Sequence, residues 1–293
     1  MKVALTGATG FIGSHVLTEL QEHGHEVTAL VRDDAQADGV AARGATPAVA
    51  DLYDRPAVAS LLANADGAIH TASPGDATSA DLDSAVVDAV TDAFAGTGKP
   101  YLQISGLWIY GANPAITEES GLNAPALVSW KVPVERRVLG AREMRGVVVV
   151  SGVAYGDGGG GIPGLLLGSP RDDAGNLIML GTGQQRWATV HVADLADFFR
   201  RVLEDDSARG RYVIGNGLNP TVAELTQAAA AAAGAPGAVP GSDDEARARL
   251  GDYFAEVLLL DQGTVAAKAR AELGWHPSHP SLTDEFRHGS YRT

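Results

Sequence analysis

The sequence predicts an α/β fold: a Rossmann-type, doubly wound parallel sheet with a smaller, mainly helical C-terminal lobe. Three observations predict it. Met1 to Thr6 has a short apolar strand pattern that runs directly into the glycine-rich TGATGFIGSH. Apolar residues then recur at helical spacing from Phe11 to Leu20, and Gly24 closes that helix before EVTALV begins a second strand. Strand, glycine turn, helix and strand form a βαβ unit. The same alternation continues down the chain with strands apolar on both faces, as a parallel sheet covered on each side by helices requires.

The repeat places a strand near Thr46 to Ala50, a helix from Arg55 to Ala63, a strand GAIHTA from Gly67, a helix from Ala80 to Ala95 and a strand YLQIS from Tyr101. A helix around Ala126 to Ala141 and the fully apolar VVVV of residues 147–150 follow. Regularity fails in GDGGGGIPG, which reads as a loop beside a ligand site or as a glycine-rich connector. It returns in WATVHVADLADFFRRVL and the strand RYVIG, and Asn219 to Thr293 looks like the helical lobe. The expected division puts residues 1–151 and about 186–216 in the sheet domain, and about 152–185 and 217–293 in the second lobe.

At 293 residues the chain can bury a core without disulfide or metal staples. It is 45% hydrophobic and 20% charged, with no run of eighteen apolar residues and no charged-then-apolar leader, so a soluble, cytoplasmic protein with no membrane partner is expected. The absence of cysteine excludes disulfides, thiolate metal sites and cysteine nucleophiles, and no His/Asp/Glu cluster has metal-ligand spacing, so no metal is expected. The net charge of −14 is spread along the chain and argues against nucleic acid or anionic lipid as a partner.

In TGATGFIG the glycines fall at 7, 10 and 13, after a strand and at the start of a helix. Gly7 can take the tight turn, Gly10 can let the backbone approach a pyrophosphate, and Gly13 can let helix and strand pack closely. The helix N-terminus adds amide donors and roughly half a positive charge. The pattern points to dinucleotide binding, against a tight turn with no ligand.

With its Gly-x-x-Gly-x-x-Gly spacing, the chain resembles the short-chain dehydrogenase/reductase superfamily, in its extended and atypical branch of nucleotide-sugar epimerases, dehydratases and dihydroflavonol-type reductases. The resemblance spans nearly the whole chain: TGATGFIG, DLYD at Asp51, HTASP at His70, ISGLWIYG at Ile104, KVPVE at Lys131, GVAYG at Gly152, TVHVADLA at Thr189, RYVIGNG at Arg211 and LGWHP near the end. It implies that Gly7, Thr9, Gly10, Phe11, Ile12 and Gly13 form the phosphate turn, that Asp51 and Leu52 lie beside the adenine, and that Thr71, Ala72 and Ser73 line the pyrophosphate and ribose channel. At the end of the second strand, an NAD site places a carboxylate. Here VTALVRDD has Val31 at that point and Arg32 next, which favours NADP(H) over NAD(H), with Arg32 as an exposed loop arginine the alternative.

In this superfamily a Tyr-x-x-x-Lys pair sits on the helix that holds Lys131. The lysine binds the nicotinamide ribose and lowers the tyrosine pKa so that the phenol exchanges a proton with substrate. Lys131 and Glu135 fit that pattern, yet Leu127 stands at the tyrosine position, and no tyrosine in the chain has a lysine four residues later. Lys131 is therefore either a ribose contact without its partner or part of a solvated helix face. Ser105, one residue before the usual serine/threonine position at Gly106, can complete the site if the strand end is bulged.

Tyr110 is the leading substitute acid, followed by Tyr155 and His191, although in many relatives the histidine ties the substrate lobe to the sheet. Trp108, Tyr155, Arg186, Trp187 and the glycine loop are expected to wall a substrate pocket, with Arg186 facing any anionic group; ordinary packing of the aromatics is the alternative. Three functions stay open: an NADP(H)-dependent reductase or dehydrogenase of a small or medium carbonyl or hydroxyl substrate, a non-catalytic NADP(H)-binding redox sensor or regulatory protein, and an NAD(P)-dependent epimerase or dehydratase. The resemblance leaves both monomer and homodimer open, since many relatives pair through a four-helix interface that includes the lysine helix.

Overall fold

The computed structural model describes residues 1–142 and 144–292. Strands β1 (Lys2–Thr6), β2 (Glu26–Val31), β3 (Thr46–Val49), β4 (Gly67–His70), β5 (Pro100–Gly106) and β6 (Arg145–Ser151) alternate with helices α1 (Phe11–Glu22), α2 (Asp34–Ala41), α3 (Arg55–Ala63), α4 (Ser79–Phe94) and α5 (Lys131–Gly140). After β7 (Val153–Tyr155), α6 (Gly161–Leu167), β8 (Leu177–Ile178) and β9 (Thr189–His191) come α7 (Val192–Glu204) and β10 (Gly210–Ile214). The chain ends with α8 (Val222–Ala232), β11 (Ala238–Val239), α9 (Asp243–Leu250), α10 (Asp252–Leu258), α11 (Ala267–Leu273) and α12 (Leu282–His288).

Seven strands form one sheet in the order β10-β6-β5-β4-β1-β2-β3. β1 is parallel to both β2 and β4, with Leu5 opposite Ala29 and Ile69, so the order reverses at β1 and opens a crevice beyond its C-terminal end. Val3, Leu5, Ala29, Ile69, Leu102 and Val147 to Val150 are buried, which is why these strands read as apolar runs rather than alternating ones.

The chain divides into two compact units. The first comprises residues 1–105, 130–149 and 195–212 and contains nearly all of the large sheet; the second comprises 106–129, 150–194 and the residues from 213 onward. Residues 106–129 and 186–194 thus group with the second unit, where the sequence pattern placed them with the sheet. Asn113 N donates to Asp261 O, Ile116 N to Gly263 O, and the Gln262 side-chain amide to Leu107 O and Gly111 O; β9 pairs with β7. Such partners, about 150 positions apart in the case of Gln262, leave no local sequence signal. The second unit's own core gathers Tyr155, Leu166, Trp187, Leu225, Leu258 and Phe286.

One predicted helix is divided. In place of a continuous helix from Ala126 to Ala141 there is a 3-10 turn at Ala126–Val128 and then α5 from Lys131. Pro133 explains the break. It has no N–H for the Ser129 carbonyl and its ring would clash with that carbonyl, whereas the first turn of a helix accommodates proline.

Candidate functional site

A cleft of about 700 Å³ in the first unit lies at the C-terminal ends of β1, β2, β3 and β4. Gly7 to Gly13 wall one side apart from Ala8, with Arg32 and Gln36, Asp51 to Tyr53, and Thr71 to Ser73 around the rest. A smaller hollow of about 370 Å³ near Gly98, Met144 and Arg209 lies by the start of the strands, where this fold class does not place ligands.

The turn explains its glycines. Gly7 has φ +79°, and a β-carbon there would lie 2.5 Å from Ala72 N; one on Gly13 would lie 2.1 Å from Gly7 O. At Gly10 the nearest atom to an added β-carbon is Gly7 O at 3.3 Å, and the residue is exposed toward the cleft. Gly10 also occupies the cap position of α1 and offers no side-chain cap. The first-turn amides of that helix, at Phe11, Ile12 and Gly13, therefore have no intrahelical partner and add to the positive end of the dipole. An anion held by backbone rather than by a cation is what this turn can bind.

Next to it, the two acidic residues after Arg32 have structural work. Asp33 Oδ1 accepts from Gln36 N at 2.8 Å and caps α2, and Asp34 lies in that helix's first turn. Neither lines the cleft; Arg32 and Gln36 do. The exposed Arg32 guanidinium makes no hydrogen bond or ion pair among the described residues, and only its backbone N–H is engaged, to Gln36 Oε1 at 3.1 Å.

Lys131 is not on a solvated face. Its side chain is 19% exposed, with Nζ 3.5 Å from Asp83 Oδ2 and 4.3 Å from the centroid of the Trp130 ring. Asp83, on α4, is buried and also receives His70 Nε2 at 3.1 Å and Gln103 Nε2 at 3.0 Å, while His70 Nδ1 contacts Thr6 Oγ1 at 2.6 Å. Burial would push the Asp83 carboxyl up, but His70 and Lys131 together hold it below the usual carboxylate range. Three donors converging on one buried group need an ionised carboxylate, and His70 thereby carries its proton on Nε2 when neutral. Lys131 does not line the cleft; Leu82, the neighbour of Asp83, does.

Glu135, four residues after Lys131, has other partners. It is 1% exposed, accepts from Ser105 Oγ at 2.5 Å through Oε1 and pairs with Arg211 Nε at 2.8 Å through Oε2. Ser105 is thus in place beside α5, but its hydroxyl proton is given to a carboxylate. Tyr101, Gln103 and Ser105 alternate along β5 and so project to one face, toward Asp83 and Glu135. His70, Asp83 and Gln103 went unread in the sequence, although a signal exists: Asp83 falls among Leu82, Val86, Val87 and Val90 on the buried stripe of α4, where an isolated charge is out of pattern.

The remaining candidates belong to the second unit. Tyr110 is 2% exposed. The Tyr155 hydroxyl donates to Pro280 O at 2.8 Å and accepts from Asn216 Nδ2 at 3.2 Å, and burial pushes its phenol up, away from proton exchange near neutral pH. Trp187 is buried with Nε1 donating to Leu258 O, and Arg186 is bound through Nε and Nη2 to Asp261 at 3.0 and 2.8 Å. These three make structural contacts rather than presenting open functional groups. His191 accepts from Ala193 N through Nδ1 and stacks on His279 with centroids 4.4 Å apart; burial and that neighbour push it down. Trp108 is half-buried, edge-on to Phe254 at 6.1 Å. Among the described residues no group of three or more His, Asp or Glu could hold a metal, and no helix is long and apolar enough to cross a membrane.

A parallel sheet with its order reversing at β1, a glycine turn and an uncapped helix end define a Rossmann-type fold. The chain belongs to the NAD dependent epimerase/dehydratase family, whose profile matches residues 3–215. It is 27% identical over 299 residues to an uncharacterized protein of Schizosaccharomyces pombe, covering 99% of this chain and 100% of the relative. Among solved structures it is similar to human epimerase family protein SDR39U1 with NADPH, at 24% identity and TM-score 0.75 over 99% of both chains. It is also similar to a UDP-glucose 4-epimerase of Stenotrophomonas maltophila with bound NAD and formylated UDP-arabinopyranose, at 21% identity and TM-score 0.75 over 99% of this chain and 97% of that one.

Proposed function

We propose that this chain is an NADP(H)-dependent oxidoreductase of a small or medium carbonyl or hydroxyl substrate, with a proton donor other than the usual tyrosine. One observation carries the cofactor choice: Arg32 faces the cleft with its guanidinium unengaged among the described residues, while the nearest carboxylate, Asp33, caps α2. A carboxylate there would accept ribose hydroxyls and repel a 2′-phosphate; an open guanidinium attracts it. SDR39U1 was solved with NADPH and the Stenotrophomonas enzyme with NAD, so the choice rests on these two residues and not on kinship.

The dinucleotide, when bound, supplies hydride transfer. The chain's own residues hold and orient it. Phe11, Ile12 and Gly13 offer amides to the diphosphate beside Gly7, Thr9 and Gly10, and Asp51 and Leu52 meet the adenine. Thr71, Ala72 and Ser73 line the channel, and Lys131, steadied by Asp83, serves the nicotinamide ribose. Tyr110 remains the proposed acid, with Trp108 at the substrate. The sensor reading has its own support: Leu127 replaces the tyrosine, and Ser105 gives its proton to Glu135, so two usual donors are missing.

The test is a side-by-side fluorescence titration with NADPH, NADH and their oxidised forms. NADPH is expected to bind about ten-fold more tightly than NADH, a difference that Arg32→Ala should erase. Equal affinities in the unaltered chain would remove Arg32 from the site. NADPH oxidation over a panel of aldehydes and ketones then separates enzyme from sensor: turnover supports the first, and tight binding with no turnover the second.

A further inference from the structure

The loop after β3 reads Asp51-Leu52-Tyr53-Asp54, and three of its residues are locked. Asp51 Oδ1 accepts from Tyr53 N at 2.9 Å, Leu52 is buried, and Asp54 caps α3 by accepting from Ala57 N at 3.1 Å. The Tyr53 ring is what the loop leaves out. It is 49% exposed, lines the cleft, and reaches across to the loop before α4, where its hydroxyl donates to Thr78 O at 3.3 Å. Thr78 is itself held, its N–H and hydroxyl both donating to Asp76 Oδ1, so the far anchor is firm while the tyrosine bond is long and open to water. A fixed backbone on each side and one weak bond between them make a strap with a single moving part.

We propose that Tyr53 is the purine-contacting residue of the cleft, its ring packing on the adenine face while Asp51 and Leu52 meet the edge, and that its bond to Thr78 must open for the dinucleotide to enter or leave. The inference rests on the dinucleotide reading of the cleft. A half-exposed aromatic ring beside a preformed cleft gains burial only when a flat apolar surface covers it, and every purine has one.

The test compares the unaltered chain with Tyr53→Phe and Tyr53→Ala, using NADPH, adenosine 2′,5′-bisphosphate and reduced nicotinamide mononucleotide as ligands. Tyr53→Ala should weaken NADPH and the bisphosphate about ten-fold and leave the mononucleotide unchanged. Tyr53→Phe should keep NADPH affinity within about two-fold, with NADPH release faster in stopped flow, because ring and strap are separate contributions. Unchanged NADPH affinity in Tyr53→Ala, an equal loss for the mononucleotide, or unchanged release in Tyr53→Phe would overturn the proposal while the dinucleotide reading stands. If the unaltered chain bound neither NADPH nor the bisphosphate, the dinucleotide reading would fall first and the proposal with it.

Discussion

Gly10 and Gly13 are three residues apart in one turn, yet alanine should fail at each for a different reason. At Gly13 the new β-carbon would meet Gly7 O at 2.1 Å and Gly7 C at 2.6 Å, backbone atoms that cannot turn aside. Gly13→Ala is expected to cost about 3 kcal/mol and to lower the melting temperature. At Gly10 only Gly7 O comes near, at 3.3 Å, so Gly10→Ala should melt close to the unaltered chain but lose NADPH binding, because its methyl stands where a phosphate would approach. Thermal melts and the NADPH titration, run on both variants, read the difference. Loss of fold without ligand in Gly10→Ala would assign that glycine to the turn alone. At this scale the sequence was legible where spacing carries the geometry, as in the glycines. It was silent where a side chain's partner is remote, as with the proton of Ser105 going to Glu135.

Among the elements, the join between α7 and β6 depends on one side chain. Arg145 is buried at the start of β6 and donates to Val202 O and Leu203 O, in the last turn of α7, and to Ala208 O in the segment that leads on to β10. Arg145→Leu would fill the volume but leave three carbonyls without that partner. A loss of about 3 kcal/mol in urea unfolding is expected, with NADPH affinity retained. A change below about 0.5 kcal/mol would mean that water replaces the guanidinium there. The same scale shows what patterning reveals and what it misses. Pro133 stands in plain sight inside the apolar period and divides the predicted helix; Arg145, one charge ahead of a valine run, gives no hint that its partners lie about 60 residues on.

For the molecule as a whole, acid stability follows from buried carboxylate chemistry. The folded pKa of Asp83 lies below its unfolded value of about 3.9, so its contribution is fully present above about pH 4 and is lost as the pH falls through the folded value. Asp83→Asn cannot accept from His70, Gln103 and Lys131 together. It should lower stability by about 3 kcal/mol at pH 7, and the gap to the unaltered chain should narrow steadily below pH 4. Melting curves from pH 7 to 3 measure both effects; a constant gap would place the ionisation elsewhere. Exposed carboxylates that are also lowered, such as Asp76 and Asp92, contribute little through solvent screening.

The sequence alone determined the parallel sheet, the position of the glycine turn and the absence of a tyrosine four residues ahead of Lys131, because each depends on residues close together in the chain: a period of hydrophobicity, a spacing of glycines, a gap of four positions. Only the tertiary structure decided which charges are available. It turned Asp33 into a helix cap and left Arg32 facing the cleft, took Lys131 off the surface and onto Asp83, and bound Arg186 to Asp261. Charge partners are chosen by distance in space, and a linear pattern carries no such distance.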